Sequence, residues 1–291
     1  MTAPGDPLSR ALASAAAGQP KPLHDLLMRG SKLPGTRMNT DLADAFAQGC
    51  RALGPKGDAV ALAMARLPAD RAPGATALEF LPVCGLYALA ARAASDAASR
   101  AAMVGELHAH ADDLRFRVRE AVIEGLARVG ATAGDSLVTE VAPWMDGYFH
   151  AAAVLLALSR ESWLSSTHDA DAVIARLDDA FALARDAPRA AARWPGYKAL
   201  LEALGSVPPL IASRFGAPVY GMLERWAAEK SPPLREVVER TLVPRNLAGR
   251  FGPEIERVRD ALGASKAPVR NPDHDFGPSR DRSKNRRRGR R

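Results

Sequence analysis

Apolar side chains in DDLRFRVREAVIEGLARVG, from Asp112 to Gly130, fall at Leu114, Val118, Ala121, Val122, Leu126 and Val129. Steps of three and four predict one buried stripe on an amphipathic helix. Arg115, Arg119, Glu120, Glu124 and Arg128 point elsewhere, and Glu124 precedes Arg128 by four, the favourable order for a helical ion pair. Asp112 or Asp113 is placed to cap the start, and Gly130 to supply the stop. SPPLREVVERTL (231–242) has the same build, with Ser231 as cap and prolines in the first turn, and so has DGYFHAAAVLLALSR (146–160), with Asp146 as cap. Amphipathic partners precede them in ASDAASRAAMVGELHAHA, GDSLVTEVAPWM and FGAPVYGMLERWAAEK. Further helices are expected over LADAFAQGCRAL, ALEFLPVCGLYALAARA, DAVIARLDDAFALARDA and YKALLEALG. Pro55, Pro68, Pro73, Pro188, Pro195, Pro208 and Pro209 punctuate, whereas Pro82 and Pro143 should kink or shorten their helices. No period-two alternation marks a strand series.

An aspartate near the start, then Val118-Arg119, a small Ala121, Leu126 and a closing glycine resemble the second helix of a HEAT repeat. The candidates recur at roughly 30 to 45 residues, a spacing consistent with such repeats. The resemblance covers about residues 75 to 262 and implies an all-α fold, a HEAT-like α-α superhelix of stacked antiparallel helix pairs. A generic antiparallel helical bundle is the alternative. The expected organisation is a flexible lead-in over 1–20, a helical-repeat domain over 21–265 and a disordered basic tail over 266–291. Past Asn271-Pro272 no apolar periodicity remains to offset the entropy of ordering.

Charge sharpens this division. Of 40 basic and 33 acidic residues, 266–291 holds ten basic and three acidic, so the tail carries the whole net charge of +7 and the body is neutral. Two cysteines, Cys50 and Cys84, without a CxxC pair favour neither a disulfide framework nor a zinc ribbon, and point to a reducing cytoplasm. No run approaches the ~20 apolar residues of a bilayer span, so membrane insertion is not expected. The first twenty residues, with Asp6 before any basic residue, make a poor secretory signal.

Phosphate-binding, dinucleotide-binding, nucleophile-elbow and HExxH motifs are absent, which leaves no familiar catalysis and no cofactor to expect. His108, His110, Asp112 and Asp113 invite a metal reading, but residues two apart on a helix diverge by about 200°. His108 with Asp112 supplies only two ligands, so a solvated cluster at a helix end is expected and no metal site. HEAT-like folds include alkylpurine DNA glycosylases, in which tryptophans and an aspartate surround the damaged nucleotide. That resemblance implies Trp144, Trp194 and Asp146 as the nearest counterparts, against the plainer reading that the tryptophans pack between repeats and Asp146 caps its helix. Arg29, Lys32 and Arg37 surround a Pro34-Gly35 turn before a helix start at Asn39 or Thr40, a weak anion site beside ordinary capping.

In the tail, Arg280, Arg282, Lys284, Arg286, Arg287, Arg288, Arg290 and Arg291 suit contact with RNA or DNA backbone without base reading, because guanidinium binds phosphate bidentately. An anionic membrane surface, an acidic protein or mere solubilisation are the alternatives. The leading expectation is a non-enzymatic scaffold that binds a protein partner on its repeat surface, with the tail as a nucleic-acid tether. A repair glycosylase and a purely structural interaction module compete with it.

Overall fold

The computed structural model describes residues 6–242 and 245–265, and the basic tail, with every arginine and lysine assigned to nucleic acid, lies outside the described residues. Of the flexible lead-in expected over 1–20, residues 7–16 instead form a packed helix, α1 (Pro7–Ala16). Leu8, Ala11, Leu12 and Ala15 lie one helical face apart and are buried, and Pro7 opens the helix where its missing N–H costs nothing. After α2 (Lys21–Gly30), α3 (Thr40–Ala52) begins where Asn39 Oδ1 accepts the Leu42 N–H at 3.3 Å, as its sequence suggests. Pro55 starts α4 (Pro55–Ala65) at its first turn.

α5 (Phe80–Ser95) is apolar on every side and buried from Phe80 to Ala90 without a break, which makes it the core helix. Pro82 falls in its first turn, directly after a 3₁₀ turn at Ala77–Glu79. Ala77–Ser95 is long and apolar enough to cross a membrane by composition, yet 72% of its most apolar window is buried inside the protein. Asp96 caps α6 (Ala97–His108) by accepting the Ala98 N–H at 3.0 Å.

α7 (Phe116–Ala133) begins later and ends later than its pattern suggests. Leu114, placed on the apolar stripe, is 90% exposed, while Arg115 is 5% exposed. The cause is local: Asp113 accepts the Arg115 backbone N–H at 2.7 Å and clasps its guanidinium, so neither Asp112 nor Asp113 caps the helix. Glu79 Oε1 instead accepts the Arg117 N–H at 3.2 Å, a cap supplied from 38 residues away. Gly130 is no stop either, because it lies inside the helix under the Trp163 ring.

α8 (Asp135–Glu140) leads into a 3₁₀ turn at Ala142–Asp146 that holds Pro143, so this proline shortens its helix. α9 (Tyr148–Leu158) has Gly147, not Asp146, at its cap. α10 (Glu161–Leu164) and α11 (Ala170–Arg185) follow, the latter capped by Asp169 accepting the Ala172 N–H at 2.9 Å. α12 (Pro195–Phe215) runs through Gly205, Pro208 and Pro209, where a stop was expected. Beside this proline pair the Arg240 guanidinium covers Gly205 and donates to the Leu201 carbonyl at 3.3 Å. α13 (Ala217–Ala227), α14 (Pro232–Thr241), α15 (Arg245–Ala248) and α16 (Gly252–Ala264) complete the described chain, and Ser231 sits at the α14 cap without a side-chain bond.

The helices form two layers. In one, α3, α5, α7, α9, α12 and α14 each pack on the next, and in the other α4, α6, α8, α11, α13 and α16 back them. Extensive contact runs between neighbours along the stack, which is the packing of a helical solenoid, and no strand occurs among the described residues. Three pairs turn on a glycine of the same conformation: Gly54 (φ 57, ψ −136), Gly134 (φ 55, ψ −128) and Gly216 (φ 73, ψ −140), a region closed to residues with a Cβ. Layers meet closely at Gly85, where an added Cβ would stand 2.4 Å from the Ala65 nitrogen. In an open helix Gly→Ala stabilises by about 1 kcal/mol, but here overpacking decides the sign. Gly85→Ala should destabilise by about 1–3 kcal/mol, read as a lower urea midpoint, and an unchanged or raised midpoint would refute the close approach.

Candidate functional site

The first layer leaves one face open between α5, α7, α9 and α12. A cleft of about 520 Å³ lies there, walled by Met38, Tyr87, Phe116, Ile123, Leu156 and Leu210 and edged by Glu120, Glu124, Ser159 and Arg160. Phe116 is 61% and Leu210 49% exposed, two large apolar side chains that the fold leaves to solvent. Charge around the cleft is mixed. Arg128 sits 4.4 Å over the Tyr87 ring, pairs with Glu124 at 2.9 Å, the pair its spacing suggests, and also pairs with Asp44. Burial pushes the Glu120 carboxyl above the ordinary glutamate range, against the lowering pull of Arg117 and Arg160.

Phe116 owes its position to a buried staple. The Arg115 guanidinium, 4% exposed, donates to both Asp113 carboxylate oxygens at 2.9 and 2.6 Å and to the Leu67 and Ala72 carbonyls at 2.9 and 3.1 Å. Glu79, also buried, accepts from the Ala75 N–H at 2.7 Å and from the start of α7. Both clamps fix the connection before α7, so Phe116 stands as a shared wall between the cleft and a second one of about 510 Å³ that Leu33, Pro34, Pro73 and Leu114 help to line. Arg117 reaches across to the Gly35 and Thr36 carbonyls at 3.3 and 2.8 Å. Arg29, Lys32 and Arg37 are exposed around that turn, where the Lys32 carbonyl accepts the Gly35 N–H at 2.9 Å, and among the described residues their side chains make no hydrogen bond or ion pair. Asn39 closes the α3 start they were expected to flank.

At the end of α6 the HAHADD residues separate as their helical spacing demands. His110 turns to the Glu106 and Ala65 carbonyls at 2.8 and 2.9 Å, and Asp113 serves Arg115. His108 instead meets Asp146, with Nε2 3.0 Å from Oδ2, while His150 Nδ1 approaches Asp146 Oδ1 at 3.3 Å. The two imidazoles stack at 4.2 Å, and Trp144 stands edge-on to both at 4.9 and 6.3 Å. Burial, then the neighbouring His108, hold the His150 imidazole below its ordinary value, against the pull of Asp146 and Asp112. Sequence reasoning singled out Asp146 and Trp144 but missed His150, although the four-residue spacing from Asp146 places the two on one turn.

This geometry corrects two expected roles. Asp146 pairs with histidines and caps no helix, and Trp144, 4% exposed, presents no open ring face to stack on a nucleobase. Trp163 and Trp226 pack inside, with indole N–H bonds to the Gly134 carbonyl at 3.3 Å and to Asp178 at 2.6 Å. Trp194 alone of the four is substantially exposed, at 45%, beside Tyr148. Cys50 and Cys84 are free and buried, and burial pushes the Cys50 thiol up to about 12, so both are structural.

No family model matches the sequence, and no curated protein matches it. Among solved structures, a designed armadillo repeat protein aligns over 80% of this chain and 98% of its own, with 11% identity and a TM-score of 0.36.

Removing the Asp113 charge leaves the Arg115 guanidinium buried without its counter-ion, so Asp113→Asn should cost about 3–5 kcal/mol. Burial raises the Asp113 carboxyl, but the hydrogen bonds and charge of Arg115 outweigh it and hold the group below its ordinary value. Its stabilising share is therefore complete above the ordinary aspartate range and is lost as pH falls through the depressed value. Denaturant titrations at pH 7 and at acid pH should show the wild-type and Asp113→Asn midpoints converging on acidification; parallel midpoints would refute the staple.

Proposed function

We propose that the chain is a non-enzymatic helical-repeat scaffold that holds a protein partner in the α5–α7–α9–α12 cleft, while its basic tail contacts nucleic acid. The observation that carries this reading is the pair Phe116 and Leu210, large, apolar and exposed in a cleft floored by the buried Tyr87 and the partly buried Ile123 and Leu156. Exposed apolar anchors on a rigid floor, rimmed by polar groups, are what protein interfaces use. The mixed charge of Glu120, Glu124, Arg128 and Arg160 is unlike the basic face a duplex requires. Glu120, half-buried and held above its ordinary value, would favour a partner with a lysine or arginine beside its apolar anchors.

The tail adds a sequence-independent contact. Five arginines lie within the last six residues, on a body of zero net charge. Each phosphate engaged contributes about −0.9 to the log–log salt slope on duplex DNA and about −0.7 on single strands. Linking this contact to the cleft raises the local concentration of whatever the cleft holds. The two buried thiols fit a reducing compartment such as the cytoplasm.

Two measurements test the reading. Peptides selected from a displayed library on the immobilised chain should bind about ten-fold or more weakly to Phe116→Glu and Leu210→Glu variants. Leu53→Glu, at an exposed apolar residue off the cleft, should bind them normally; equal affinity for all three would refute the cleft. Deleting 266–291 should abolish salt-sensitive binding to RNA and DNA while leaving the melting temperature unchanged, and unaltered affinity would refute the tether.

A further inference from the structure

Three protein elements bring one potential ligand atom each to the same point: His108 at the end of α6, Asp146 at the end of the 3₁₀ turn, and His150 in the first turn of α9. Their ligand atoms all lie within 4.8 Å of one another, and the two closest approaches are 3.0 and 3.3 Å. Tetrahedral zinc with bonds of about 2.0–2.2 Å holds its ligands about 3.3–3.5 Å apart. The two imidazole–carboxylate spacings lie close to that range, and the two imidazole nitrogens, within 4.8 Å, must draw closer to enclose an ion.

The rings now stack at 4.2 Å and 11° while both address one carboxylate, and each must turn about its Cβ–Cγ bond to bring its in-plane lone pair onto a common ion. His150 Nδ1 is buried and makes no hydrogen bond, so its lone pair has no protein donor to lose. Gly147 makes this packing possible, because a Cβ there would stand 2.3 Å from that nitrogen. Trp144 stands edge-on to both rings and walls one side.

We propose that His108, Asp146 and His150 bind one divalent ion of zinc's class, which fastens the end of α6 to the start of α9. Two imidazoles and one carboxylate suit zinc and its transition-metal neighbours, whereas magnesium and calcium require an oxygen set. The site rests on geometry alone and is independent of what the cleft holds.

The test titrates the chelator-stripped full chain with zinc chloride at pH 7.5 against a chromogenic competitor. One ion should bind per chain, and the melting temperature should rise by about 5 °C when zinc exceeds its Kd a hundred-fold. Magnesium should produce no rise. His108→Gln and His150→Gln should each weaken binding at least about ten-fold, while His168→Gln and His274→Gln leave it unchanged. Cobalt in the wild-type protein should give the visible absorption of a low-symmetry nitrogen–oxygen site, a readout that stands even if His150→Gln misfolds. Absence of stoichiometric binding, retention of affinity in His108→Gln, or its loss in His274→Gln would overturn the assignment.

Discussion

Everything in this protein depends on the burial of α5 from all sides. A helix without a polar face has no stable place at a surface, so α3, α4, α6 and α7 must all close around it. That requirement explains the close approach at Gly85, where only a missing Cβ lets the two layers touch backbone to backbone. It also sets what lies beneath the cleft. Tyr87 belongs to α5 and Ile123 to α7, so the cleft's floor is the outer surface of the core itself.

Fold class was legible because periodicity reports which side of a helix is buried. Val118, Ala121, Val122, Leu126 and Val129 form the buried side of α7 as their spacing suggests. What periodicity misses is competition at helix ends. Leu114 fits the stripe in sequence, but Asp113 gains more by clasping Arg115, and the helix starts two residues after Leu114, at Phe116. Pro208 and Pro209 misled in the opposite direction, since local propensity says stop while tertiary packing against α14 carries α12 on.

Candidate chemistry was legible only where partners are close in sequence. Glu124 and Arg128 sit one turn apart and were visible, whereas His108 finds Asp146 from 38 residues away. His150 hides at the head of an otherwise apolar helix, where composition reads as core. Phe116 and Leu210 look like any other apolar residues in the sequence, because a period does not reveal which face a neighbouring pair covers. The division of charge, by contrast, needed no structure: a neutral body with a strongly cationic end separates shape-based selection from phosphate attraction.

The glycine joints at Gly54, Gly134 and Gly216 share one backbone geometry, two helix pairs apart each time. Because that backbone region excludes a side chain, glycine alone fits each of these reversals, whatever aliphatics the flanking helices carry. The apolar stripes can exchange one aliphatic for another and still bury a face, but the reversals have no such latitude. A substitution at any of the three would therefore tilt one helix pair against the next rather than loosen the core.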